Sequence, residues 1–199
     1  MITERDVPLT GVLKIAKDTI FTPSARDLIR LRGIEIQETF EDLSTSQEPA
    51  LTIAIGADHG GFAMKEALKP VLVELGRGVI DVGVAAAATA DYPDIARKVA
   101  DLVAARTAYF GIIVDGAGIG SAMAANKVPG VRAALCYDRA SARNSREHND
   151  ANVLTLGGRL LTQSQAEEVV RVWLSTPFAG GRHQARVDKI IAIEKAFSK

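Results

Sequence analysis

The run Asp115-Gly116-Ala117-Gly118-Ile119-Gly120-Ser121 is the densest chemical signal in this chain. It follows the apolar run Phe110-Gly111-Ile112-Ile113-Val114 and leads into a helical pattern. Glycines at such a junction expose backbone N–H groups, and the helix N-terminus adds positive potential, so the loop can hold a phosphate or a developing oxyanion. It is not the dinucleotide fingerprint, because the third glycine comes one residue early, Ser121 holds the expected place, and the preceding strand is not the first of its domain. A tight strand–helix turn without a ligand fits the spacing equally well. Asp115 stands directly before the loop. Partial burial makes a carboxylate a better proton acceptor and loop N–H groups oppose that, so a general base and an aspartate bonded to its own loop both fit.

Further polar clusters accompany it. Asp58-His59-Gly60-Gly61 offers a carboxylate, an imidazole and two flexible positions after the strand-like Leu51–Ile55, although such a pair is more often a cap or turn. His148-Asn149-Asp150 lies in a polar run with Arg143 and Arg146; His148 can move protons or simply close a turn. Arg182 and Arg186, flanking His183, are four apart and share a helix face suited to a phosphate, or to acidic surface partners. No metal-ligand spacing, Gly-x-Ser-x-Gly elbow or Walker loop is present, and Cys136 reads as a core residue, so no cofactor or metal is expected.

The elements that must position these groups alternate between strand and helix. Strand patterns at 51–55, 78–82, 110–114, 131–136 and 152–156 are separated by helical patterns at 61–75, 92–105, 119–127, 140–146 and 164–174, and a last helix spans 181–197. This alternation predicts an α/β fold with a parallel sheet covered on both faces. Ligands in such sheets sit beyond the carboxyl ends of the strands, where Asp58–Phe62, Asp115–Ser121 and Asp138-Arg139 fall. Residues 1–37 form a separate extension. Thr22 caps its helix, Pro23 opens it, Gly33 ends it, and Ala25, Leu28, Ile29 and Leu31 give it an apolar face before the strand-like Ile34-Glu35-Ile36. Polar residues 38–50, with Pro49, read as a linker to the domain at 51–199. Lys plus Arg and Asp plus Glu balance at 24 each, a poor composition for nucleic-acid binding. With one cysteine, no membrane-length apolar run and no signal-peptide core, a soluble cytoplasmic protein without disulfides is expected.

As an ordered set these stretches resemble the ribose-5-phosphate isomerase B and galactose-6-phosphate isomerase family. The carriers are Gly56–Phe62, Asp91-Tyr92-Pro93, Gly116–Gly120 with Ala124-Ala125-Asn126-Lys127, Arg146–Val153, Gly157-Gly158-Arg159 and Gly180-Gly181-Arg182-His183. The resemblance implies a Rossmann-like three-layer sandwich with a five-stranded parallel sheet, and metal-free isomerisation of a sugar phosphate through a cis-enediolate, most plainly ribose 5-phosphate to ribulose 5-phosphate. It implies a homodimer, or a dimer of dimers, whose sites are shared between subunits. By the same resemblance Asp58 and His148 open the sugar ring, and Gly116, Ala117, Gly118 and Gly120 stabilise the enediolate. His59, Tyr92, Asn149, Arg159, Arg182 and Arg186 contact substrate or its phosphate. The family's base is a cysteine before the glycine loop in many members and a glutamate at the Ser121 position in another branch. This chain has neither, and Asp115 is the candidate base. A sugar-phosphate-binding or assembly protein with a degenerate site is the alternative. Residues Thr22–Ile29 with Arg32-Gly33-Ile34 also resemble N-terminal segments of bacterial microcompartment enzymes, which implies a cargo or docking role; an ordinary oligomer-contacting extension stays open.

Overall fold

The computed structural model describes residues 7–8, 10–15, 21–38, 51–86 and 89–197. The chain divides into two compact units, Met1–Glu48 and Pro49–Lys199. In the first, strand β1 (Val12–Ile15) and strand β2 (Glu35–Glu38) pair in parallel around helix α1 (Pro23–Arg32). Thr22 Oγ1 accepts from the Ala25 N–H at 3.2 Å, and Gly33 closes the helix with φ of 61°. Val7, Ala25, Ile29 and Ile34 form its small core. Leu31, expected on the apolar face, is 82% exposed. Two residues beyond Ile29 is a turn of about 200°, which sends its side chain to the opposite side of the helix. Beyond Glu38, the expected linker lies outside the described residues until Leu51.

The second unit is a five-stranded parallel sheet in the order β4-β3-β5-β7-β6. Its strands are β3 (Ile53–Ala57), β4 (Val79–Asp81), β5 (Phe110–Asp115), β6 (Ala133–Leu135) and β7 (Val153–Gly157). β3, β5 and β7 are buried along their whole length, as their unbroken apolar runs require in the middle of a sheet covered twice. The edge strands β4 and β6 are short and half-exposed. Side chains alternate between the faces. Ile53, Ile55, Ile112, Val114, Leu154 and Leu156 meet helices α2 (Phe62–Glu74), α5 (Arg139–Asn149) and α6 (Gln163–Ser175) around Trp173. Ala54, Ile113 and Val153 meet α3 (Tyr92–Ala104) and α4 (Ile119–Ala125) on the other face. This is the expected α/β sandwich, with strand boundaries displaced by one or two residues.

Two local expectations change. Asp138 serves as a helix cap: its Oδ1 accepts from the Ser141 N–H at 2.7 Å, and Arg139 pairs with Glu168 on the surface. The last helix starts late. Gly180 and Gly181 hold positive φ angles of 60° and 54°, so Gly181–His183 form a 3₁₀ turn and α7 runs from Gln184 to Phe197. From β3 the chain moves outward to β4 and then crosses to β5 on the other side. The crevice beyond the carboxyl ends of β3 and β5 is therefore the switch point where α/β sheets take ligands.

Candidate active site

Loops from four parts of the sequence converge on that crevice. Asp58 opens the β3–α2 turn, and its Oδ1 accepts from the N–H groups of Gly60 at 2.8 Å and Gly61 at 3.0 Å. Oδ2 has no partner among the described residues, which leaves it free for a ligand. The turn lies hard against β5: a Cβ on Gly61 would stand 2.1 Å from the Val114 carbonyl oxygen, and one on Gly60 would stand 3.2 Å from the Gly116 nitrogen. Arg159 enters from β7. Its N–H donates to the Gly116 carbonyl at 3.1 Å, and its side chain runs past Gly116. Tyr92, at the start of α3, lays its ring over Gly120, where a Cβ would meet ring carbons at 2.5 Å. His59 is exposed at the same edge. One chain thus gathers Asp58, His59, Tyr92, Asp115, the glycine loop and Arg159.

Asp115 lies beneath this loop, 5% exposed. Its Oδ1 accepts from the N–H groups of Ala117, at 2.8 Å, and Gly118. Its Oδ2 accepts from the Ser121 N–H at 3.0 Å and from the Ser121 hydroxyl. A carboxylate has about four lone-pair sites, so these donors fill it. The loop must fold tightly to reach them. Gly118 takes a φ of 78° where a Cβ would strike Leu135 at 2.5 Å. The N–H groups of Ala117 and Gly118 are thereby spent on Asp115. Those of Gly116, Ile119 and Gly120 have no acceptor among the described residues and remain available to an anion. Ser121, fully buried, marks only a departure from known patterns in the sequence; the folded loop gives it a role by bringing its hydroxyl back to Asp115.

The remaining candidates lie elsewhere. Helix α5 returns antiparallel to β6, so its C-terminus reaches the amino edge of the sheet. Arg132, just before β6, accepts there from the Asn152 N–H at 3.1 Å. Arg146 clamps that helix end, donating to Asp150 Oδ1 at 2.8 Å and the Ala151 carbonyl at 2.7 Å while its guanidinium covers the rings of Phe110 and Trp173. The Asn144 amide donates to His148 Nδ1 at 2.9 Å, which leaves the proton of a neutral His148 on Nε2. The His183 ring stacks on that of His148 at 4.1 Å and 5°. Asn149, Arg182 and Arg186 are exposed around this pair. From the level of Val153 to that of Gly157 the sheet climbs about 13 Å. Within one chain His148 and the arginines of the C-terminal turn therefore stand at the opposite edge from Asp115.

Comparison with known proteins matches this arrangement over the second unit. The profile of the ribose/galactose isomerase family covers residues 53–190. Ribose-5-phosphate isomerase B of Escherichia coli is 45% identical over 143 residues, 72% of this chain and 96% of that protein. The ribose-5-phosphate isomerase B structure of Clostridium thermocellum superposes with a TM-score of 0.73 at 47% identity, covering 74% of this chain and 99% of its own. That of Mycoplasma genitalium, solved with bound ribulose 5-phosphate, gives 0.70 at 42% identity over 72% of this chain and 96% of its own. With a five-stranded parallel sheet, a glycine-lined crevice at its switch point and matches of this extent, the chain belongs to the ribose/galactose isomerase family and is a sugar-phosphate aldose–ketose isomerase.

Proposed function

We propose that this enzyme interconverts ribose 5-phosphate and ribulose 5-phosphate through a cis-enediolate, in sites completed by a second copy of the chain. The observation that carries this reading is the division of the candidate residues between opposite edges of one sheet. Asp58, Tyr92, Asp115, the glycine loop and Arg159 occupy the carboxyl edge, and His148, Asn149, Arg182 and Arg186 the amino edge. A two-fold axis sets one edge against the other twice over. Exposed Ile119 and Met123 on α4 and Ile190 and Ile193 on α7 supply apolar surface for the contact.

In this reading Asp58 Oδ2 takes the anomeric hydroxyl proton while His148 of the partner subunit gives one to the ring oxygen, opening the aldose. Asp115 then removes the C2 proton and returns it to C1, while the hydroxyl proton on O2 passes to O1. The freed N–H groups of Gly116, Ile119 and Gly120 receive the enediolate oxygen, acting where charge develops. Arg182 and Arg186 of the partner subunit hold the phosphate, with His59 and Arg159 beside it. Asp115 must first release a donor, and among its partners only the Ser121 hydroxyl can rotate away. The N-terminal unit is assigned a docking role, with a microcompartment shell or cargo protein as its partner by resemblance. Unchanged co-localisation with shell proteins after deletion of residues 1–50 removes that role.

Two experiments test the reading. A turnover screen across tetrose, pentose and hexose phosphates gives the highest kcat/KM on ribose 5-phosphate; a higher value on another sugar reassigns the substrate. Mixing inactive Asp115→Asn and Arg182→Ala proteins, with subunit exchange, restores about a quarter of wild-type activity, because half the dimers are mixed and each holds one intact site. No restoration on mixing refutes the shared site.

A further inference from the structure

His183 has no part in the chemistry above, yet it is among the most tightly held polar side chains of the C-terminal segment, with 7% of its surface exposed. Its ring lies flat against His148, centroids 4.1 Å apart and planes 5° from parallel. Its Nε2 accepts from Arg182 Nε at 3.4 Å. That contact puts the ring proton on Nδ1, which is buried without a partner. A buried unsatisfied nitrogen is a standing cost, and natural structures keep few of them. Its two contacts account for it here. One side of the ring is a plate for a proton-moving histidine, and one nitrogen is an anchor for a phosphate-binding arginine. Phenylalanine would supply only the plate, and an amide only the anchor.

We propose that His183 is a positioning residue of the isomerase: it fixes the plane of His148 and the direction of Arg182 together, so that one chain presents the ring-opening acid and the phosphate anchor as a preassembled unit to the site of the other. The proposal rests on the shared-site reading of the previous section. The charges around His183 suit a neutral plate. Burial, then His148, Arg182 and Arg186, push its pKa below the usual histidine value, and Glu147 alone opposes them. An uncharged ring can lie against the imidazolium form from which His148 gives its proton to the ring oxygen; a second imidazolium there would repel it. Asn144 holds Nδ1 of His148 from the side, so plate and amide together leave Nε2 as the edge that faces a substrate.

The test compares His183→Ala with His183→Phe in the full-length protein. His183→Ala slows isomerisation from the cyclic aldose phosphate by about 10- to 100-fold, the scale set by a misplaced general acid. It leaves solvent exchange of the C1 proton of the open-chain ketose phosphate within about threefold in kcat, since that step needs no ring opening. His183→Phe restores most of the aldose rate and keeps a raised KM in both directions, because the Arg182 anchor is still missing. A general structural loss would slow both directions equally in both variants, and that result overturns the proposal. A second readout is independent of activity. In the wild type the side-chain carbon-bound protons of His148 are shifted upfield by the stacked ring; the shift disappears in His183→Ala and persists in His183→Phe. A wild-type spectrum without that shift also overturns it. Were the shared-site reading wrong and this one right, the ring-current result would stand while mixed dimers gave no recovery.

Discussion

Replacing Asp115 by asparagine separates what holds the glycine loop from what moves the proton. Asparagine keeps one oxygen, which still accepts from the N–H groups of Ala117 and Gly118. The amide nitrogen takes the place of Oδ2. There it can donate to the Ser121 oxygen, but it faces the Ser121 N–H, 3.0 Å away, as a second donor. One buried N–H is orphaned, at about 1–3 kcal/mol. The two surviving bonds lose their charge assistance, about 1 kcal/mol each. The sum is about 3–5 kcal/mol, which lowers Tm by roughly 10 °C for a domain of this size. Loss of a general base removes a further factor of about 10² to 10⁴ from kcat. Three measurements apportion these effects: a denaturation curve, exchange of the substrate C2 proton with D2O, and the Kd of a phosphorylated substrate analogue. Stability down, exchange abolished and Kd within about threefold of wild type is the expected set. If exchange persists, Asp115 is not the base. If Tm is unchanged, the hydrogen-bond assignment around Ser121 is wrong.

Ser121→Ala removes the hydroxyl from Oδ2 but keeps the backbone donor, so it costs about 1–2 kcal/mol in denaturant unfolding. It leaves C2 exchange at or above the wild-type rate; a tenfold fall would give the hydroxyl its own part in the chemistry. Gly61→Ala puts a Cβ against the Val114 carbonyl, a backbone atom that cannot step aside, and destabilises by more than about 3 kcal/mol; a soluble variant with wild-type Tm would contradict the close approach of α2 to β5. The lowered pKa of His183 also has a sign. Above the ordinary value of 6.5 both states hold the ring neutral, and below it the unfolded chain takes up a proton that the folded one resists. Stability therefore falls as pH drops below about 6.5, and His183→Phe flattens that part of the urea-midpoint profile. An identical slope in the variant assigns the acid loss to other groups.

The local chemistry of the chain was enough to set most elements. Thr22, Pro23 and Gly33 bracket α1 as cap, first turn and left-handed stop, because those roles need only neighbours three or four residues away. The apolar runs of β3, β5 and β7 announced central strands, since a strand buried on both faces has no polar side to show. The same reasoning erred where a residue's angular position or a glycine's backbone decides, as with Leu31 and with the start of α7 at Gln184.

The candidate residues were legible as types and spacings, and most by family likeness. Their grouping was not. The order of the chain leaves Asp115 open between a general base and an aspartate bonded to its own loop; that its partners are Ala117, Gly118 and Ser121 depends on the loop closing on itself around Gly118. Nor does it reveal that His183 lies on His148, thirty-five positions earlier. Most consequential is the division of the site between the two edges of the sheet. Sequence supplied the groups, and the family likeness implied sharing between subunits. Only the antiparallel return of α5 along parallel strands separates them within a chain, because a helix that connects parallel strands must end where the next strand begins.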